Sequence, residues 1–95
     1  MAKRLSEEEI IENLKKIPTW TQDESGKKIR KKFSFKNFGE ALQFANHVGS
    51  QAESMDHHPD MLLHDYRFLT LTLTTHSAGG LTRMDFDLAQ KIETN

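Results

Sequence analysis

A two-layer α+β domain, with a mostly antiparallel sheet of four strands and three helices packed on one face, is the fold this 95-residue chain predicts. Three observations carry that prediction. Helix starts are written as a capping residue with an acidic residue three positions on; two stretches alternate apolar and polar residues at the period of a strand; and no strand-helix-strand alternation runs through the whole chain.

Ser6 with Glu9 forms a capping box, and Leu5 and Ile10 hold the two positions of a hydrophobic staple, so a first helix starts at Glu7. Its apolar residues Ile10, Ile11, Leu14 and Ile17 are placed on one face, and Pro18 stops it. Trp20 to Asp23, a Glu24-Ser25-Gly26 turn and Lys27 to Phe35 then read as a hairpin, with Ile29, Phe33 and Phe35 alternating with Lys28, Arg30, Lys32 and Ser34. Lys31 breaks the alternation on the apolar side.

Asn37 with Glu40 marks the second helix, where Phe38, Ala41, Leu42, Ala45, Val48, Ala52 and Met55 recur at helical spacing until Pro59. The small residues Ala45, Gly49 and Ala52 suggest close approach of another element, the chain's own sheet ahead of a second subunit. Met61, Leu62 and Leu63 form a short strand. Phe68 to Thr75 is the clearest strand, with Leu69, Leu71 and Leu73 on the core side and the threonines opposite, which puts His76 away from the core. After the Ala78-Gly79-Gly80 turn, Thr82 caps a last helix with Asp85 at the capping-box position, Leu81 and Phe86 as a second staple, and Leu88, Ala89 and Ile92 buried. Residues 1–95 make one domain.

The composition, 36% hydrophobic and 28% charged with a net charge of -1, fits an ordinary soluble domain and argues against general nucleic-acid binding. The run from Lys27 to Lys32 is read as the solvated face of a strand. With no cysteine, disulfides and thiolate chemistry are excluded, and a reducing cytoplasm is the expected setting. No apolar stretch approaches the roughly 20 residues of a membrane span, and the N-terminus from Met1 to Ser6 reads as unprocessed. So short a chain gains from self-association.

Four of the five histidines, His57, His58, His64 and His76, fall within a twenty-residue stretch. Histidine moves protons near neutral pH because its ordinary pKa of about 6.5 leaves both forms populated. Glu53 stands four residues before His57, so on a continuing helix the two share a face and the carboxylate orients the imidazole. Asp85 has a structural role at a helix start and can also serve a site. His64 is expected in solvent, and His47 has no partner at useful spacing. Gly79-Gly80 belongs to no phosphate loop. The residues alone leave two readings open, an acid/base site and a histidine-metal site.

The pattern Glu53, three residues, His57-His58-Pro59, six residues, Tyr66, nine residues, His76, eight residues, Asp85 closely resembles the signature of the pterin-4a-carbinolamine dehydratases. The flanking Gln51-Ala52 and the stretch from Thr74 through Thr82 to Leu88-Ala89 are similar too. The segment between Pro59 and Tyr66 is one residue longer than in many members, and Met61 and Leu62 stand where some carry an aromatic residue.

The resemblance implies removal of water from a 4a-hydroxytetrahydropterin to give the quinonoid dihydropterin, in tetrahydrobiopterin recycling. It implies a metal-free and cofactor-free site and assembly as a homodimer or homotetramer, with a small pterin as partner and neither membrane nor direct nucleic-acid binding. It assigns His57, His58 and His76 to catalysis, the first and last as the acid/base pair, and leaves open which of them protonates the hydroxyl. Glu53 and Asp85 support the imidazoles, and His58, Asp56, Thr75 and Ser77 contact the substrate. The alternative is a non-catalytic dimerisation or assembly protein that keeps the same fold.

Overall fold

The computed structural model describes residues 3–94; Met1, Ala2 and Asn95, and with them the ends of the predicted domain and the reading of an unprocessed N-terminus, lie outside them. In chain order the elements are α1 (Glu7–Leu14), β1 (Thr21–Gln22), β2 (Ile29–Ser34), α2 (Phe38–Met55), β3 (Asp60–His64), β4 (Phe68–Leu73), a 3-10 turn at His76–Ala78, and α3 (Arg83–Glu93). The strands form one antiparallel sheet in the order β1-β2-β4-β3, and the predicted α+β fold is the one observed.

Strand β4 lies inside the sheet, and its Leu69, Leu71 and Leu73 are fully buried together with Ile29 of β2. Against them pack Ile10 of α1, Val48 and Ala52 of α2, and Phe86, Leu88, Ala89 and Ile92 of α3. Each leucine so covered contributes roughly 1.5–3 kcal/mol relative to exposure. Both capping boxes form, with Ser6 and Glu9 exchanging hydrogen bonds at 2.8 and 3.2 Å and Thr82 paired with Asp85. Backbone and hydroxyl hydrogen bonds from Ser6 hold the Glu9 carboxyl below its ordinary pKa.

Several expectations are corrected by packing. Helix α1 ends at Leu14, and Ile11 is 51% exposed because its side chain is rotated away from that of the buried Ile10 beside it; Ile17 is buried from the turn after the helix, where its N–H donates to Leu14 O. The first hairpin pairs only Thr21 and Gln22 with β2. On α2, Phe38 and Leu42 form an exposed stripe beside the buried Ala41, Val48 and Ala52. A Cβ on Gly49 would meet nothing within 4 Å, so the small-residue strip is not a close helix contact along its whole length. Lys31, the exception in β2, sits on the core-facing side and reaches Glu93 at 2.8 Å while its ammonium lies 4.4 Å from the Phe33 ring centroid. Its charge is thereby satisfied on the side that faces the core.

Candidate active site

Antiparallel pairing of β3 with β4 sets the site. Asp60, the first residue of β3, lies opposite Thr72 near the end of β4, so the segment leading into β3 runs beside the segment leaving β4. The first segment carries Asp56, His57 and His58; the second carries Thr74, Thr75, His76 and Ser77. These residues line one open cleft of about 300 Å³, at the small end of the size range for small-molecule sites.

The α2 terminus decides which way each histidine points. The helix does not run on to Pro59: Asp56 adopts φ 50, its N–H donates to Glu53 O at 3.2 Å, and the His57 N–H donates to Ala52 O at 3.1 Å. This is the hydrogen-bond pattern of a Schellman terminus, with aspartate where glycine is usual. The chain therefore leaves the helix axis at Asp56, and the expected Glu53–His57 pair on a shared face does not form. Glu53 instead meets His58, Oε1 to Nε2 at 2.8 Å, with the two side chains 78% and 54% exposed.

His57 turns inward to α3. Its Nε2 lies 2.6 Å from Asp85 Oδ1, and Asp85 is fully buried. The other carboxylate oxygen, Oδ2, accepts from the Thr75 hydroxyl at 2.8 Å and from the Thr82 N–H at 2.9 Å. Asp85 thus caps α3 and holds an imidazole at once. On the segment leaving β4, His76 is exposed at the start of the 3-10 turn, which Gly79 closes with φ 74, a left-handed conformation that glycine adopts without strain.

Of the residues singled out from the sequence, His57, His58, His76, Asp56, Thr75 and Ser77 share the cleft, while Glu53 and Asp85 hold two of its imidazoles. Thr75 lines the cleft with its hydroxyl spent on Asp85 and Thr82. Thr74 joins the lining as well, and its hydroxyl donates to Lys27 O at 2.6 Å. Thr82, read only as a cap, is fully buried against Thr75; two threonines flanking a predicted glycine turn were the available signal.

Tyr66 is 65% exposed in the β3–β4 connection and does not line the cleft. His64, expected in solvent, is held instead between Asp65 and Thr70, each at 2.8 Å, and stacks on Phe68. A roomier hollow of about 550 Å³ lies among Lys3, Arg4, Leu5, Glu9, Arg83, Met84 and Asp87. It contains no histidine, so size is a poor guide to chemistry here. Among the described residues no three acidic or histidine side chains converge as a metal-holding group.

The family model for pterin 4 alpha carbinolamine dehydratase matches residues 3–95. A Picosynechococcus relative, provisionally named a pterin-4-alpha-carbinolamine dehydratase, is 48% identical over 89 residues, 94% of each chain. A relative from Sulfurisphaera tokodaii with the same provisional name is 45% identical over 91 residues, 96% of this chain and 95% of its own. Among solved structures, a transcriptional coactivator/pterin dehydratase from Brucella melitensis superposes with a TM-score of 0.90 at 34% identity, covering 97% of both chains. A pterin dehydratase-like RuBisCO assembly factor of the alpha-carboxysome shares the fold, with a TM-score of 0.66 at 16% identity over 80% of this chain and 87% of its own.

Proposed function

Since the chain belongs to the pterin-4a-carbinolamine dehydratase family, we propose that it removes water from a 4a-hydroxytetrahydropterin by histidine acid/base catalysis. The observation that carries this reading is the meeting of His57, His58 and His76 on one cleft although the last is far from the others in sequence. Breaking the bond from carbon 4a to oxygen expels hydroxide unless a proton arrives with it, and forming the carbon-nitrogen double bond requires the neighbouring ring nitrogen to lose its proton. One acid and one base account for both transfers, and no electrons are exchanged.

His57 and His76 form the proton-transferring pair, brought to one cleft by the two neighbouring segments. His57 is the more tightly positioned, through Asp85; His76, exposed, is free to meet the substrate as it enters. His58, steered by Glu53, contacts the pterin together with Asp56 and Ser77, and Thr75 braces the wall through Asp85. Each well-placed acid or base supplies about 10² to 10⁴ in rate. The recycling of a reduced pterin cofactor in the cytoplasm is the setting that this chemistry fits, and no described helix is long and apolar enough to cross a membrane.

The working form is a homo-oligomer, dimer or tetramer. The open edge strand β3 exposes Met61 and Leu62 at 44% and 59%, and α2 exposes Phe38 and Leu42. Light scattering of the purified chain tests this; a monomer at micromolar concentration refutes it.

The direct test is the ultraviolet absorbance change as a 4a-hydroxytetrahydropterin dehydrates with and without the purified protein. Acceleration over buffer is expected, with most of it lost in a folded His76→Ala variant. A wild-type rate equal to buffer rejects the reading, and activity that disappears with a chelator and returns with zinc replaces it by a metal mechanism.

A further inference from the structure

Behind His57 stands a chain of hydroxyls that the proton transfers above do not use. Thr75 Oγ1 is 2.8 Å from Asp85 Oδ2 and also 2.8 Å from Thr82 Oγ1. Thr82 Oγ1 in turn accepts the Met84 N–H at 3.2 Å. A hydroxyl has one hydrogen to give, and a carboxylate only accepts. Thr75 therefore donates to Asp85, and Thr82 must donate to Thr75. Every hydrogen in the row points toward Asp85, and Asp85 Oδ1, an acceptor too, requires the hydrogen of His57 to be on Nε2.

Thr82 differs here from an ordinary helix cap. A cap needs only its oxygen, to accept a backbone N–H, and its own hydrogen commonly goes to water. At Thr82 the side chain is fully buried and that hydrogen goes to Thr75. The threonine pair, 0% and 6% exposed, thus satisfies the second oxygen of a buried carboxylate and fixes the carboxylate plane against the imidazole. The other ring nitrogen, Nδ1, has no partner among the described residues and is not sealed off from solvent, and His57 lines the cleft.

Resting on the dehydratase reading, we propose that Thr82 is a positioning residue: through Thr75 and Asp85 it locks His57 with hydrogen on Nε2, so that all proton traffic at His57 passes through Nδ1. His57 then accepts the ring-nitrogen proton at Nδ1 if it is the base, or gives a proton to the departing hydroxyl from Nδ1 if it is the acid, with His76 taking the other transfer. The lock spares the reaction the fraction of enzyme in which the imidazole carries its hydrogen on the wrong side.

Long-range proton-nitrogen NMR on the ¹⁵N-labelled full chain reads the tautomer directly, without substrate. Wild-type His57 in its neutral form is expected to show a protonated Nε2 and a bare Nδ1. Thr82→Val, which keeps the shape and loses the hydroxyl, shifts that signature toward a mixture and lowers kcat roughly ten- to hundredfold with little change in KM, the scale of one lost hydrogen bond to a charged group. Thr82→Ser restores both.

A wild-type spectrum with hydrogen on Nδ1 overturns the proposal, as does a Thr82→Val protein with unchanged tautomer and kcat. If Thr82→Val fails to fold, Thr75→Val and the wild-type spectrum decide by the same criteria. An Nε2–H signature lost in Thr82→Val, in a protein without dehydratase activity, upholds the lock and rejects the reaction assigned to it, so the two failures are distinguishable.

Discussion

Replacing Asp85 by asparagine keeps the shape of the side chain and removes one acceptor oxygen, which isolates the role of the buried carboxylate. In the native site one oxygen takes the His57 Nε2 hydrogen at 2.6 Å and the other takes two donors, the Thr75 hydroxyl and the Thr82 N–H. An amide can keep only one of these sides. If its oxygen stays with the threonines, its NH₂ faces the imidazole, and His57 must move its hydrogen to Nδ1 in order to accept. If it turns around, the Thr82 N–H is left facing another donor at a fully buried position.

The first arrangement costs less. It exchanges a charge-assisted hydrogen bond of about 1.5–3 kcal/mol for a neutral one near 1 kcal/mol, a net loss of about 0.5–2 kcal/mol. The second adds a buried unpaired donor, at about 1–3 kcal/mol more. Asp85→Asn is therefore expected to stay folded, to lose about 0.5–2 kcal/mol in urea unfolding followed by the fluorescence of buried Trp20, and to dehydrate substrate about 10²- to 10⁴-fold more slowly, because an N–H now occupies the position of the working lone pair. A folded Asp85→Asn protein with kcat within about twofold of wild type refutes the reasoning.

The exposed Glu53–His58 pair predicts a milder outcome: Glu53→Gln should change unfolding by less than about 0.5 kcal/mol and raise KM several-fold, and a kcat loss as large as that of Asp85→Asn would contradict the division of roles. For Glu9, hydrogen bonds from the Ser6 backbone and hydroxyl put the folded pKa below the ordinary 4.5, so its contribution is complete above that value and disappears as pH falls through the folded one. The stability difference between wild type and Glu9→Gln should accordingly be constant from neutral pH down to the carboxylate range and shrink below it; a difference that grows with acid opposes the sign. Glu93 receives the Trp20 indole N–H at 3.2 Å and Lys31 at 2.8 Å, so Glu93→Ala should cost about 1–2 kcal/mol and shift Trp20 emission to the red, and an unchanged urea midpoint would show the clamp to be idle.

Much of this architecture was legible because its signals are local. Capping boxes at Ser6 and Thr82 need only a residue and its third neighbour, and the Leu69, Leu71 and Leu73 alternation states its own buried face. The convergence of His57 and His76 was legible only through the family pattern, since it depends on β3 starting beside the end of β4, a pairing that no local spacing announces. The partner of His57 escapes local reading for a similar reason. Helical spacing favours Glu53, but a single aspartate in a left-handed conformation ends the helix at Met55, before it reaches His57, and hands the imidazole to Asp85, 28 residues away. Lys31 looks like a flaw in β2 until Glu93, the last residue of α3, supplies its counter-charge. Thr82 is hidden by sufficiency: its capping role accounts for the residue, and nothing in the sequence tells that its hydrogen is given to Thr75.

The central claim is that imidazoles from the α2 terminus and from the end of β4 work on one molecule in one cleft. A crystal structure with a non-reactive pterin bound tests it most directly. The bicyclic ring is predicted between His57 and His76, with His57 Nδ1 at hydrogen-bond distance from the ring and His58 on its edge. A pterin seated instead in the hollow between Leu5 and Met84, with the three histidines untouched, contradicts it.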